Sequence, residues 1–173
     1  VAVRLRHPVT SLDRWIFPGA TPVFSHAHGH MSADPTLAVV LVNWNNEDDT
    51  AECLDSLETQ TYDDFVTVVV DNGSDRSSYE YLRGNYEWPV YVRNERNLGF
   101  TGGNNAGIRT ALDRGVDWVF LLNNDTVLRE GFLEDLVAAA ESLPSTAGVV
   151  GPRVHTYEED ELWSAGGDVN PFT

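Results

Sequence analysis

Apolar residues gather along the chain in short continuous runs, and longer segments of mixed polarity separate these runs. An uninterrupted run of valine, leucine and aromatic residues is typical of a strand that is covered on both faces of its sheet. The pattern therefore predicts five strands, at residues 37–42, 65–70, 90–92, 118–122 and 148–150.

Amphipathic segments between these runs predict helices. The first places Ala51, Leu54 and Leu57 on one face, behind a capping pattern of Asp49 and Glu52. The first predicted helix begins after the cap Asp49, and the second runs from a cap at Ser74 or Asp75 to about Tyr86. The third runs from the cap Thr101 to Arg114 and is followed by Gly115 in the left-handed conformation. The fourth covers residues 130–142. Strands that alternate with helices predict an α/β fold, with a mostly parallel sheet flanked by helices.

Residues 1–35 lack this regularity and are predicted to be an irregular N-terminal extension. Residues 1–30 hold three arginines and one acidic residue, and four of the five histidines precede Met31. We expect Met31 to be the natural start, with residues 1–30 a mis-assigned upstream or foreign sequence. The group His26-x-His28-x-His30 could bind a metal ion, but a tag remnant or an unrelated leader is the favoured interpretation.

The charge of the chain limits the classes of partner that it can bind. The formal net charge is −16, and all 11 basic residues are arginine. Nucleic acid is excluded as a partner because phosphate contacts need a basic patch. The acidic, lysine-free surface is typical of a protein adapted to concentrated salt, and a cationic partner is the less favoured alternative. The single cysteine, Cys53, excludes an internal disulfide, and no apolar run is long enough to span a membrane.

Polar clusters follow four of the predicted strands directly. They are Asn43-Trp44-Asn45, the segment from Asp71 to Asp75, the glycine-rich segment from Asn94 to Asn105, and Asn123-Asn124-Asp125. Each alone is typical of a turn. Because ligands of parallel α/β sheets bind beyond the carboxyl ends of the strands, four clusters at one edge predict a binding site.

The residue types in these clusters indicate a pocket for a nucleotide diphosphate. Asp71 can accept hydrogen bonds from a base or ribose, and glycines 99, 102 and 103 let backbone N–H groups approach an anion at a helix N-terminus. Asp125 offers hard oxygen ligands to Mg²⁺ or Mn²⁺. A Walker-type phosphate loop is excluded because the chain has no lysine, and the dinucleotide fingerprint is absent after the first strand.

These motifs resemble the family 2 glycosyltransferases with the GT-A fold, and most of all their rhamnosyltransferase-like branch. The resemblance covers roughly residues 36–168 and rests on the segments 39–45, 68–75, 97–107 and 121–125. It implies transfer of a hexosyl-type sugar from a nucleotide-diphosphate donor to an acceptor hydroxyl, with inversion at the anomeric carbon. Residues 36–173 would then be a GT-A domain that binds a nucleotide sugar and is truncated on its C-terminal side.

The resemblance also implies roles for individual residues. Asn43 and Asn45 would line the base and ribose, Asp71 would hold the base edge and Asp75 would shape that wall; Gly99, Gly103 and Asn105 would border the diphosphate; Asn123 and Asn124 would contact the donor, and Asp125 would bind the metal ion. Two positions depart from the family pattern. Asn123 replaces the first carboxylate of the Asp-x-Asp motif, and Asn104 stands where many relatives have arginine.

The catalytic base of the family lies in the acceptor-binding half, which we expect beyond Thr173, so this chain would be the donor-binding half. A catalytically silent nucleotide-sugar-binding module is the main alternative, and a nucleotidyltransferase is a third. The expected donor is a UDP- or dTDP-sugar, and the expected acceptor is a glycan or lipid-linked glycan of polysaccharide biosynthesis. With no targeting segment visible, we expect a cytoplasmic protein, at the inner membrane face if the acceptor is lipid-linked.

Overall fold

The computed structural model describes residues 2–4, 21–22, 36–144, 147–156 and 161–164. The strands are β1 (Ala2–Arg4), β2 (Thr21–Pro22), β3 (Leu37–Asn43), β4 (Phe65–Asp71), β5 (Val90–Arg93), β6 (Trp118–Leu122), β7 (Val149–Val150), β8 (Val154–His155) and β9 (Leu162–Ser164). The helices are α1 (Glu47–Glu58), α2 (Arg76–Asn85), α3 (Gly99–Leu112) and α4 (Phe132–Ser142). All five strands predicted from the apolar runs are confirmed as strands.

The described residues form a seven-stranded sheet whose four central strands are parallel. The strand order is β2-β5-β4-β3-β6-β1-β7, and β8 pairs separately with β9. Asn43 lies opposite Asp71, which lies opposite Arg93, so β3, β4 and β5 end at the same edge. The chain moves outward from β3 to β5 and then crosses to β6 on the other side of β3, which makes the β3–β6 boundary the switch point of the sheet.

Alternate side chains of the central strands are buried against helices on opposite faces of the sheet. On one face, Leu37, Val39 and Leu41 of β3 pack with apolar residues of α1, α2 and α4. On the other face, Ala38 and Val40 pack with α3. The predicted apolar stripe of α1 is confirmed, and its single cysteine is a fully buried small residue of the first core.

The helix α3 packs unusually close to the sheet because two glycines face the strands. A Cβ atom built on Gly107 would lie 2.3 Å from Cγ1 of Val40, and one on Gly103 would lie 2.7 Å from Cγ1 of Val42. Both distances are shorter than real Cβ contacts. These two positions therefore set the depth at which α3 packs against β3.

The predicted caps of two helices are wrong by three residues each. The cap of α1 is Asn46 rather than Asp49, because Asn43 Oδ1 accepts a hydrogen bond from the Asn46 N–H and so fixes the preceding turn. The cap of α3 is Leu98 rather than Thr101, because the turn before this helix is held by side chains outside it. These side-chain acceptors satisfy N–H groups that a helix start would otherwise leave open.

The other two helix starts lie closer to the prediction. Asp75 is the cap of α2, as one of the two predicted candidates. The helix α4 begins at Phe132 rather than at residue 130, and Gly131, with a left-handed φ of +74°, is its cap.

The C-terminal end of α3 also differs from the prediction. The helix ends at Leu112, two residues before Arg114, and Asp113, Arg114 and Gly115 form a turn. The predicted left-handed conformation of Gly115 is confirmed, with φ of +73°.

Parts of the N-terminal segment belong to the sheet. Strand β1 pairs antiparallel with β6 and β7, and β2 pairs antiparallel with β5. The histidine group at residues 26–30 lies outside the described residues. No observation on the described residues tests the expected start at Met31, so this start stays a prediction.

Candidate functional site

A hollow of about 270 Å³ lies at the carboxyl ends of β3 and β6, beside the first turns of α3. Its lining residues are Val42, Phe100, Asn104, Asn123, Asn124 and Asp125. The position coincides with the switch point of the sheet, where ligands of open α/β sheets bind. Three of the six lining residues, Asn123, Asn124 and Asp125, were predicted from the sequence.

The residues after β6 supply the polar groups of the hollow. Among the six lining residues, which are all described, Asp125 is the one charged side chain and none is basic. The Asp125 carboxylate is exposed and makes no hydrogen bond or salt bridge to any other described residue. Asn124 instead donates through Nδ2 to the hydroxyl of Thr50 over 2.9 Å.

This donor set fits a divalent cation that is shared with a ligand. Within the described parts of the chain, no three His, Cys, Asp or Glu side chains converge to hold a metal ion by themselves. Mg²⁺ commonly binds through one or two carboxylates and completes its shell with substrate phosphates and water. Asp125, with Asn123 lining the same hollow, fits that shared mode.

The side chain of Asn43 is fully buried, and its polar atoms are occupied by hydrogen bonds within the protein. Its Nδ2 donates to the hydroxyls of Ser74 (3.4 Å) and Ser78 (3.2 Å). Its Oδ1 accepts from both the Asn46 N–H and the Thr50 hydroxyl, each over 3.1 Å. The structure therefore gives Asn43 the geometry of a residue that holds the ends of β3 and β4 together.

Asn45 and Asp75 meet at the exposed rim beside this network. Asn45 Oδ1 accepts a hydrogen bond of 2.7 Å from the Asp75 N–H, and the Asn45 N–H donates to the Ser74 hydroxyl over 3.0 Å. Asn45 has a positive φ of 50°, the one described non-glycine residue that does. Trp44, which precedes it, exposes 56% of its surface and gives this rim a flat aromatic face.

Asp71 is a buried carboxylate at the end of β4, only 1% exposed. Arg93 Nε lies 3.2 Å from its Oδ2, but no described residue completes a well-aligned hydrogen bond to either carboxylate oxygen. Burial raises the pKa of Asp71 above its ordinary value, and the Ser74 side chain and the Arg93 charge lower that pKa in part. Asp71 thus keeps accepting capacity for an N–H donor.

Asn72 fixes the segment that leads into α3. Its Oδ1 accepts from Asn94 Nδ2 (2.9 Å) and from the Leu98 N–H (3.1 Å). Its Nδ2 donates to Asn97 Oδ1 (3.0 Å) and to the Gly99 carbonyl (3.2 Å). All four hydrogen-bonding positions of this buried amide are filled, so the start of α3 is held rigidly against the end of β4.

Some residues of the glycine-rich segment pack α3 against the sheet, and others line the hollow. Gly99 opens α3 with φ of +72° and is exposed. Gly103 faces Val42 and Asn72 within the core, so it serves the close packing of α3. Asn104 lines the hollow and donates to the Phe100 carbonyl over 2.9 Å, whereas the neighbouring Asn105 is half-buried and not among the lining residues.

Seven of the predicted site residues form two adjoining groups, and Gly99, Gly103 and Asn105 belong to α3. Asn123, Asn124 and Asp125 line the hollow, while Asn43, Asn45, Asp71 and Asp75 gather around the ends of β3 and β4. Thr50 joins the groups, because its hydroxyl contacts both Asn124 and Asn43.

Sequence reasoning assigned no role to the hollow-lining residues Val42 and Phe100, and it named Asn104 only as a departure from the family pattern. Phe100 is 69% exposed, and an aromatic residue among glycines at a predicted helix start is the signal that could have identified it.

Comparison with protein families places this chain among known sequences. The sequence model described as "Glycosyl transferase family 2" matches residues 38–170. The curated protein "Galactofuranosyltransferase GlfT1" of Mycobacterium tuberculosis is 35% identical over 105 residues, which are 59% of this chain and 34% of that protein. The chain thus spans about a third of the length of this relative.

Solved structures share the fold at lower identity. The crystal structure of S. aureus TarS residues 1–349 with UDP matches with a TM-score of 0.52 and 22% identity, over 69% of this chain and 41% of that one. A mannosyltransferase of Pyrobaculum calidifontis, solved with GDP-Man and Mn²⁺, matches with a TM-score of 0.48 and 21% identity over 62% of this chain and 31% of its own. The fold predicted from the sequence is confirmed.

Proposed function

Because this chain belongs to glycosyl transferase family 2 and has the GT-A fold, we propose that it binds the nucleotide-diphosphate sugar of an inverting, metal-assisted glycosyl transfer. The observation that carries the proposal is the hollow at the switch point, where Asn123, Asn124 and Asp125 meet the first turns of α3. The transferred group is a hexosyl-type sugar and the acceptor group is a hydroxyl of a glycan or lipid-linked glycan.

The base and ribose bind at the ends of β3 and β4 in this proposal. The two buried oxygens of Asp71 have unfilled accepting capacity and suit the imide N–H of uracil or thymine. Asn45 and Asp75 form the neighbouring rim, and the exposed face of Trp44 offers a stacking surface. These features favour a UDP- or dTDP-sugar.

The diphosphate binds in the hollow. The N-terminus of α3 faces this edge, and its partial positive charge favours an anion. Asp125 and Asn123 would hold Mg²⁺ or Mn²⁺, which stabilises negative charge on the leaving diphosphate when it is bound. None of the described lining residues is basic, so these residues add no cationic side chain there.

Binding without transfer is a second candidate, and it is favoured by one observation. Among the described lining residues, the hollow carries one carboxylate where the family motif has two, so the residues assigned here account for donor binding alone. In the transferase proposal, by contrast, the general base and the acceptor site come from the rest of a longer protein.

Three finer assignments are also proposals. They are membership of the rhamnosyltransferase-like branch, a role in polysaccharide biosynthesis, and a cytoplasmic location at the inner membrane face. For the described residues, no helix has the length and apolar character needed to cross a bilayer. Cell fractionation with and without a lipid-linked acceptor pool tests the location.

Calorimetric titration with UDP, GDP and dTDP, each with and without Mn²⁺, tests the donor site. We expect UDP or dTDP to bind, and to bind more tightly with Mn²⁺. If none of the three nucleotides binds under either condition, the proposal fails. Release of free sugar from the preferred donor, measured with the whole protein, separates a transferase from a silent binding module.

A further inference from the structure

One side of α1 carries four buried side chains whose contacts run to the segment after β6. These residues, Thr50, Cys53, Ser56 and Gln60, are called the α1 ridge here, and residues 123–131 are called the β6–α4 loop. The ridge residues are spaced by three, three and four positions, which places them along one side of the helix. Gln60 lies just past the helix end and continues the line.

The contacts follow the β6–α4 loop from its first residue to the start of α4. Asn124 Nδ2 donates to the Thr50 hydroxyl (2.9 Å), the Cys53 thiol lies 3.9 Å from the Asn123 carbonyl, and the Leu128 N–H donates to the Ser56 hydroxyl (3.1 Å). Gln60 then donates to the Arg129 carbonyl (3.0 Å) and accepts from the Leu133 N–H (3.1 Å).

All four ridge residues are buried, so their polar atoms depend on these partners. Each exposes less than a tenth of its surface, and Thr50 and Cys53 expose none. Burial raises the pKa of the Cys53 thiol to about 12, so this cysteine stays a neutral packing residue. A buried polar group that loses its partner destabilises the arrangement that contains it.

Thr50 occupies the position on the ridge that faces the site. Its hydroxyl also lies 2.7 Å from the Asn46 carbonyl and 3.1 Å from Asn43 Oδ1, so it is held from the β3 side as well. Asn124, which it holds, lines the hollow next to Asp125. The β6–α4 loop itself has no helix or strand over residues 123–131, all of which are described, that would fix Asp125 from within.

We propose that the α1 ridge positions the β6–α4 loop, and that Thr50 is the residue that sets the Asn124–Asp125 segment in the orientation needed to share a divalent cation with a nucleotide diphosphate. The proposal rests on the proposed function for its ligand. It assigns a positioning role to a helix that does not line the hollow.

The test compares three variants with the wild-type chain. Thr50→Val removes the hydroxyl and keeps the shape, Thr50→Ser keeps the hydroxyl, and Leu82→Val is a core change in α2 that controls for a general loss of stability. Titration measures the Kd of the nucleotide diphosphate that the wild type prefers, with and without Mn²⁺. Hydrogen exchange measures the amides of residues 123–131 against those of Val40 and Leu41 in β3.

We expect Thr50→Val to raise the Kd measured with Mn²⁺ by about fivefold or more, because the partly buried hydrogen bond from Asn124 to the Thr50 hydroxyl is lost. The Kd without Mn²⁺ should change by less than about twofold. Exchange at residues 123–131 should accelerate in Thr50→Val, while β3 stays protected. Thr50→Ser should behave like the wild type, and Leu82→Val should lower the melting temperature without changing the ratio of the two Kd values.

Two results would overturn the proposal. One is an unchanged Kd with Mn²⁺ in Thr50→Val, and the other is unchanged exchange of residues 123–131. If the wild type binds none of the three nucleotide diphosphates, the proposed function fails, and the exchange measurement alone then decides whether the ridge holds the loop.

Discussion

Arg93 Nε lies 3.2 Å from Oδ2 of Asp71 across the ends of two neighbouring strands, but the two side chains differ in their access to water. The Asp71 side chain is 1% exposed, whereas the Arg93 side chain is 38% exposed and stacks over the Tyr79 ring at 4.4 Å. The arginine therefore stays partly hydrated, whereas the carboxylate is almost fully desolvated. An unequal pair of this kind stabilises the fold little, because the cost of desolvating the carboxylate offsets the attraction.

We expect Asp71→Asn to stabilise the protein at pH 7 by about 1 kcal/mol, because the amide removes a buried charge of raised pKa. Because the pKa of Asp71 is raised in the folded state, protonation of this carboxylate contributes to the free energy of unfolding. This contribution is complete below the ordinary pKa of 3.8 and is lost as the pH rises through the raised pKa. The difference between variant and wild type should therefore be small at and below the ordinary value and grow toward pH 7. Urea unfolding across this range measures it.

The same variant should bind the nucleotide about tenfold more weakly, both with and without Mn²⁺, because the accepting carboxylate is replaced. A variant that is less stable than the wild type at pH 7, or that binds the nucleotide normally, would contradict this account of Asp71.

We expect Asp125→Asn to remove most of the gain in nucleotide affinity that Mn²⁺ provides, since Asp125 is the one carboxylate among the described residues of the hollow. The affinity without Mn²⁺ should stay within about twofold of the wild type. Asp117→Asn is a suitable control, because this exposed carboxylate precedes β6 and so lies at the opposite edge of the sheet. Equal Mn²⁺ dependence in Asp125→Asn and the wild type would rule out the metal assignment.

We expect Gly107→Ala to destabilise the chain by about 1–3 kcal/mol, since the new methyl group would overlap Cγ1 of Val40 and push α3 away from the sheet. Gly84→Ala in α2 is the matched control, because no heavy atom lies within 4 Å of the added Cβ and alanine is the better helix former. Chemical denaturation of both variants measures the difference. Similar stabilities for the two would mean that α3 can shift at little cost.

We expect sodium chloride to raise the melting temperature, by about 5 °C between 0.1 and 2 M, because salt screens the repulsion within a chain of net charge −16. Differential scanning fluorimetry measures the shift, and sucrose at the same osmolality is the control for solvent exclusion. A melting temperature that falls with salt, or that rises equally with sucrose, would contradict an adaptation of this surface to concentrated salt.

The strands could be predicted because their apolar runs are unbroken on both faces. Val39 and Val40 point to opposite layers, and both are fully buried, so the sequence of β3 shows the double coverage directly. The starts of α1 and α3 could not be predicted because the side chains that hold them come from outside each helix. Asn43 holds the turn before α1, and Asn72 reaches from the end of β4 to hold Leu98.

The sequence predicted at which strand ends the site lies, but it could not predict which side chains face the hollow. Asn104 and Asn105 are adjacent and of the same type, and only the helical rotation of about 100° between them decides which one faces the hollow. Asn43 could not be distinguished from a ligand-binding amide, because its partners Ser74 and Ser78 lie 31 and 35 residues away in sequence.

The glycine contacts under α3 limit how this protein can change its ligand. A side chain at position 103 or 107 would displace the whole helix, but Phe100 and Asn104 lie on the adjoining strip of its surface and line the hollow. Substitutions at 100 and 104 can therefore reshape the cavity while the helix keeps its position. A library randomised at these two positions, with both glycines preserved, should yield folded proteins of altered nucleotide-sugar preference.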